Sequence, residues 1–169
     1  MVCNQLRTLI IAMTENTWIY QGTPITHIDN VPPNSYGFIY EVTHLPTNLK
    51  YIGKKVFWFS RNKKLGKKEL KKLKEERKQQ GLRGKTPTTK KVIKESDWKT
   101  YYGSQKEIIE LARNKPKVEF KREILQFVKN KKLLTYYECK YLFLKNVLEE
   151  RNNYLNDNIL GKFYTKDFL

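Results

Sequence analysis

Apolar and polar positions alternate most clearly between Tyr36 and Val56. Phe38, Tyr40 and Val42 interleave with Ile39, Glu41 and Thr43, and a second run, "LKYIGK", follows at 49–54. Between them "LPTN" puts Pro46 where a type I turn accepts it and Asn48 at the exit. The pattern predicts an antiparallel hairpin with a four-residue loop, Leu45 to Asn48. That register sets Tyr40 opposite Gly53 and Tyr51 opposite Val42, so both phenols point to one side, with Gly53 leaving open space between them. Aromatic cross-strand packing is an equally good account of the pair at this stage.

The remaining elements follow from the same patterning. Residues 1–35 read as an arm with one short aromatic strand in "WIYQ", after which Pro32-Pro33 excludes helix. "MVCNQLRTLIIA" has no clear period, and Met13 is an alternative start. "VFWFSRNKK" leaves the hairpin and is expected to open a helix or turn at Ser60. Over about 67–80 only Leu70 and Leu73 are apolar, which predicts a helix with almost nothing to bury, stopped by Gly81. "RGKTPTTKK" after it reads as a mobile loop, and 63–95 as an insertion into the domain. A helix then starts at a Ser104–Glu107 capping box, with Ile108, Leu111 and Ala112 on one face. "VEFKREILQFV" alternates as a third strand. "TYYECKYLFLKNVLEE" is a long helix whose core face is Tyr137, Tyr141, Leu144 and Leu148. The fold expected is α+β: a small three-stranded antiparallel sheet flanked by helices, spanning 36–160, with a basic helical and loop insertion at 63–95 and a tail at 161–169.

Composition narrows the class. The chain is 39% hydrophobic, and no apolar run approaches the roughly 20 residues of a membrane span. "LIIAM" is too short for a signal-peptide core. Cys3 and Cys139 make neither a disulfide framework nor a metal cluster. These features suit a soluble protein in a reducing cytoplasm, with no membrane partner and nothing that points to a protein partner. Charge adds more: 34 basic residues stand against 17 acidic ones, and from Arg61 to Lys106 the ratio is 17 to 5. A field this concentrated, edged by Trp58, Trp98, Tyr101 and Tyr102, implies a nucleic-acid partner. Lys55, Lys63, Lys64, Lys67, Lys68, Lys71, Lys72, Arg83, Lys85, Lys90 and Lys91 are the candidate contacts to its backbone.

"FIY", followed eleven residues later by "YIG", resembles the GIY-YIG nuclease superfamily, with Gly37 one residue earlier than that family's usual tripeptide. Arg61, ten residues past Tyr51, falls where the family has an arginine on its first helix. Glu138, on a helix after the third strand, falls where it has a metal-binding glutamate, and Asn156 matches its later asparagine. Lys54, directly after "YIG", matches the lysine of the excision-repair members. The resemblance is nearest to stand-alone phage-type endonucleases, some of them homing-like, and implies a DNA endonuclease using one Mg²⁺ or Mn²⁺. Position 65 departs from the pattern: a leucine stands where a His or Tyr is usual, and Tyr102 is the substitute by order.

The resemblance assigns roles that chemistry supports. Phosphodiester hydrolysis needs an activated water, charge stabilisation at the non-bridging oxygens and help for the leaving oxygen. A phenol, with a reference pKa near ~10, is a poor base unless cations lower it. On this reading Tyr40 is the general base, Tyr51 orients it or contacts the phosphate, Arg61 forks onto the phosphate, and Glu138 holds the ion. Each residue also has a plainer reading. Arg61 fits a surface charge, Glu138 a capping box with Thr135, and Asn156 a turn. The alternative function is a catalytically silent basic nucleic-acid-binding protein, which needs neither Arg61 nor Glu138 at these spacings.

Overall fold

The computed structural model describes residues 16–168, so the Met13 start and Cys3 lie outside the described residues. The chain forms two compact units, one from the residues up to Phe57 together with those from Asp97 onward, the other from Trp58–Ser96.

The first unit is organised by the hairpin, and its register is as the alternation predicts. Strands β3 (Gly37–His44) and β4 (Leu49–Val56) pair antiparallel with Tyr40 opposite Gly53 and Val42 opposite Tyr51. Asn48 takes a positive φ of 56° at the loop exit, a conformation asparagine tolerates. The third strand of the sequence reading pairs with β3 on its other side. It is β7 (Phe120–Val128), with an irregularity between Ile39 and Tyr40.

The sheet is larger than the three strands expected. The supposed arm supplies two more: β1 (Trp18–Tyr20) and β2 (Thr23–Ile25) form a hairpin turned at Gln21-Gly22, both at positive φ, which suits a two-residue loop. β1 lies parallel to β7, giving a mixed sheet in the order β2-β1-β7-β3-β4. β4 is therefore an edge.

Each face of the sheet carries its own core, because alternate residues of β3 and β4 point opposite ways. One face buries Trp18, Phe38, Tyr40, Val42 and Tyr51 beneath Trp98 and helix α2 (Lys106–Asn114). Trp18 packs with ring centroids 5.1 Å from both Phe38, edge to face, and Tyr40, tilted, and donates its indole N–H to the Trp98 carbonyl at 2.6 Å. The other face buries Ile39 and Ile52 beneath helix α3 (Lys131–Leu144) and the segment carrying Val147, Leu148 and Tyr154. On α3 the buried residues are Leu134 and Leu142, with Tyr137 and Tyr141 half-buried against them, whereas Leu144 is exposed.

Two helix starts differ from the capping boxes read in the sequence. The cap of α2 is Gln105, whose side chain accepts from the Ile108 N–H at 3.1 Å, because the Ser104 hydroxyl is engaged by Tyr51. The cap of α3 is Asn130, accepting from the Leu133 N–H at 2.9 Å, so Glu138 lies mid-helix and is not a cap. The tail adds the short pair β8 (Asn158–Ile159) and β9 (Phe163–Tyr164).

In the second unit, α1 (Lys67–Gln79) matches the expected helix. The expected loop holds over residues 83–88, but its end and the segment before the helix are strand: β5 (Trp58–Lys64) and β6 (Thr89–Glu95) pair antiparallel along their full length, and Arg61 sits on β5, not on a helix. No helix among the described residues is long and apolar enough to cross a membrane.

Candidate active site

Edge strand β4 is exposed to a partner on its outer side, and residues 153–156 supply one. The Lys50 N–H donates to the Asn153 carbonyl at 2.7 Å, and the Leu155 N–H to the Lys50 carbonyl at 2.8 Å. Asn156 extends the pairing with its side chain, accepting from the Ile52 N–H at 3.0 Å and donating to the Ile52 carbonyl at 2.8 Å. It is buried, and both ends of its amide are used in holding the strand between Tyr51 and Gly53.

Beside this edge lies a cleft of about 510 Å³, lined by Tyr51, Lys54, Ser104, Glu138, Asn156 and Asp157 among others. The fold thus gathers four of the residues singled out in the sequence: Tyr51 and Lys54 from β4, Glu138 from α3 and Asn156 from the segment paired beside β4. Glu138 is 19% exposed and its Oε2 lies 2.7 Å from Lys54 Nζ, which also donates to the Thr135 hydroxyl at 3.2 Å. A larger, mainly apolar hollow of about 830 Å³, lined by Trp18, Tyr101, Tyr102 and Arg122, contains none of these four.

Tyr40 is placed differently. It is 1% exposed, its ring 6.2 Å from Tyr51 and 6.0 Å, edge to face, from Tyr101. The space above Gly53 is not open: the Tyr40 and Tyr51 rings fill it, and a Cβ there would lie 2.7 Å from Tyr40 Cζ and 3.0 Å from Tyr51 Cε1. Burial pushes the Tyr40 phenol well above its usual range, and the neighbouring Tyr51 and Tyr101 add to the shift. Burial also raises Tyr51, against the pull of its 2.9 Å hydrogen bond with the Ser104 hydroxyl. Tyr101 is raised by burial while interacting with both the Tyr40 and the Ser104 hydroxyls. The Tyr51 and Ser104 hydroxyls are thus hydrogen-bonded at the cleft, with the Tyr40 and Tyr101 rings packed behind them. The negative charge of Glu138 contributes to the upward shift of all three phenols.

Tyr101 and Ser104 are the residues the sequence reading did not place in the site. Tyr102, chosen there by order, packs instead on Phe120 at 5.4 Å and on the Arg122 guanidinium at 4.8 Å, away from the cleft. The choice between the two tyrosines is made by Arg122. It reaches from β7 to donate to the Lys99 and Tyr101 carbonyls at 2.9 and 3.0 Å, fixing the segment with Tyr101 over Tyr40. Its burial pushes the guanidinium down to about 10, so it stays charged at neutral pH.

Two further cations lie elsewhere than expected. Lys55 is buried, its Nζ 2.6 Å from Asp97 and 3.4 Å above the Tyr101 ring, a supporting position and not a surface contact. Arg61 lies on the exposed β5 of the second unit. In that unit Lys63, Lys64, Lys67, Lys68, Lys71, Lys72, Arg83, Lys85, Lys90 and Lys91 are all exposed.

No group of three His, Cys, Asp or Glu side chains among the described residues could hold a metal ion. The cleft instead offers one semi-buried carboxylate whose present counter-charge is Lys54. That donor set fits Mg²⁺, which keeps several waters and binds through one or two carboxylates plus substrate phosphate.

Residues 18–159 match the family model described as "Putative endonuclease segE, GIY-YIG domain". Comparison with curated proteins and with solved structures gives no match.

Proposed function

Because the chain belongs to the GIY-YIG endonuclease family, we propose that it is a divalent-metal-dependent DNA endonuclease of the phage type, with Glu138 as the metal ligand. The observation that carries this reading is the convergence of Tyr51, Lys54 and Glu138 on one cleft beside the β4 edge. When bound there, Mg²⁺ or Mn²⁺ would supply positive charge to the scissile phosphate and to the departing 3′ oxygen.

On this proposal Tyr51 keeps the phosphate contact of the sequence reading and takes the contact with water from Tyr40. Tyr51 borders the cleft and is the phenol that contacts water or phosphate. Tyr40 is sealed behind it and supports it by ring packing, together with Tyr101. Both phenols are neutral at neutral pH, so Tyr51 enters the reaction as a hydrogen-bonding group. Burial is the main cause of its upward shift and the Glu138 charge a smaller one. Lys54, paired with Glu138, is the cation of the cleft placed to neutralise phosphate. Asn156 is a positioning residue that keeps the β4 edge, and hence Tyr51, in place. Arg61 is assigned to phosphate on the family resemblance alone.

Incubation of the purified chain with supercoiled plasmid, in Mg²⁺ and in EDTA, tests the proposal. Conversion to nicked or linear DNA in Mg²⁺ alone is expected. Tight binding without cutting under both conditions would support the silent binding protein instead.

A further inference from the structure

The β5–β6 ribbon has no core. All seven residues of β5 and six of the seven of β6 are exposed, only Glu95 being half-buried. A two-stranded ribbon of this kind is marginal in water, and its cross-strand pairs work against it. Lys63 faces Lys90 directly, and Asn62 faces Lys91. The unit that carries it holds fifteen basic residues against four acidic.

Register divides the ribbon into two unlike faces. One carries Phe59, Arg61 and Lys63 paired across from Lys94, Val92 and Lys90, and it is held to α1: Lys90 Nζ lies 2.6 Å from Glu69, whose carboxylate also accepts from the Gly66 N–H at 3.0 Å. The Lys90 hydrogen bond holds the Glu69 carboxyl below its usual range. The opposite face carries Ser60, Asn62 and Lys64 paired across from Ile93, Lys91 and Thr89. Among the described residues no ion pair fixes these side chains, and Ile93 is 64% exposed.

That second face has the chemistry of base reading. An asparagine amide matches adenine, lysine reaches guanine O6 and N7, hydroxyls serve either, and an aliphatic group meets the thymine methyl. By contrast α1 shows lysines in abundance and suits phosphates. A two-stranded ribbon is also one of the shapes the major groove admits. Seven residues span about 23 Å at ~3.3 Å each, roughly seven base pairs at about 3.4 Å.

We propose that the β5–β6 ribbon enters the major groove of duplex DNA and reads base edges through Ser60, Asn62, Lys64, Thr89, Lys91 and Ile93. The proposal rests on the reading of DNA as the substrate. It makes the insertion a source of sequence preference, where backbone attraction alone would give affinity without preference.

The test uses the full chain carrying Glu138→Ala, so that nothing is cut. Duplexes selected from a random pool are compared with scrambled ones for affinity, and guanine N7 methylation is scored for interference. A motif of up to about seven base pairs is expected, with N7 methylation inside it blocking binding. Asn62→Ala should cut the preference for the motif by about ten-fold or more. Lys64→Gln with Lys91→Gln should do likewise, whereas Lys63→Gln with Lys94→Gln removes the same charge and keeps the preference. Each charge pair should flatten the log-log salt slope by up to about two. Circular dichroism checks that the variants stay folded, and the interference pattern needs no ribbon variant at all. Absence of a motif, absence of N7 interference, equal losses of preference from the two lysine pairs, or a preference for RNA or single strands would each overturn the proposal. None of these readouts depends on cleavage, so a wild-type chain that fails to cut plasmid would count against the nuclease reading alone.

Discussion

Replacing Gly53 by alanine tests the packing of the two hairpin phenols without touching either. The φ of Gly53 is not in the positive region, so the backbone accepts a side chain and the cost is purely steric. The new Cβ would collide with the Tyr40 hydroxyl and lie 2.7 Å from its Cζ and 3.0 Å from Tyr51 Cε1. Tyr51 can shift toward the cleft. Tyr40 cannot, since Trp18 at 5.1 Å and Tyr101 at 6.0 Å close off its other sides. Overpacking of this kind costs about 1–3 kcal/mol. For a chain of this size each kcal/mol moves Tm by about 2–4 °C, so a fall of roughly 2–12 °C is expected. Tyr40→Phe removes the closest clashing atom, so the double variant should lose less than the sum of the two single losses, and thermal melts of all four proteins measure that coupling. A Gly53→Ala protein that melts with the wild type, or additive losses in the cycle, would refute this account of the hairpin.

Alkaline stability should report the same phenols. Tyr40, Tyr51 and Tyr101 are raised in the folded state, mainly by burial, while the unfolded chain ionises near ~10. The folded state therefore holds protons that the unfolded state has released, so their stabilisation is complete below about pH 10 and is lost as pH rises above it. Melting followed from pH 9 to 12 should show the decline, and Tyr40→Phe should lessen it; reversible ionisation near 10 in the folded protein would contradict this. Asn156→Ala leaves the Ile52 N–H and carbonyl without partners, so a loss of about 1–3 kcal/mol in urea denaturation is expected. A negligible loss would show that the β4 edge holds without it.

The parts of the fold that could be read in advance are those with local signals. The β3–β4 register followed from alternation and from Pro46 and Asn48, and β7 from its own alternation. The parallel pairing of β1 with β7 had no such signal, because its partners are about a hundred residues apart. The ribbon was missed because both its faces are solvated, so neither an apolar stripe nor a period of two marks it. Helix starts went wrong where two capping residues competed, as Ser104 with Gln105 and Thr135 with Asn130. At the site, Tyr51, Lys54, Glu138 and Asn156 were legible as a set. Tyr101 was not, since only the Arg122 clamp distinguishes it from the adjacent Tyr102.

The proposed function routes the chemistry of the cleft beside β4 through Glu138. Single-turnover cleavage of duplex DNA in Mg²⁺ at saturating protein, comparing wild type with Glu138→Ala alongside their DNA affinities, is the decisive measurement. A fall in rate of at least about 10³-fold is expected, the loss of several kcal/mol of charge stabilisation, with affinity nearly unchanged. Cleavage by Glu138→Ala at the wild-type rate would contradict it.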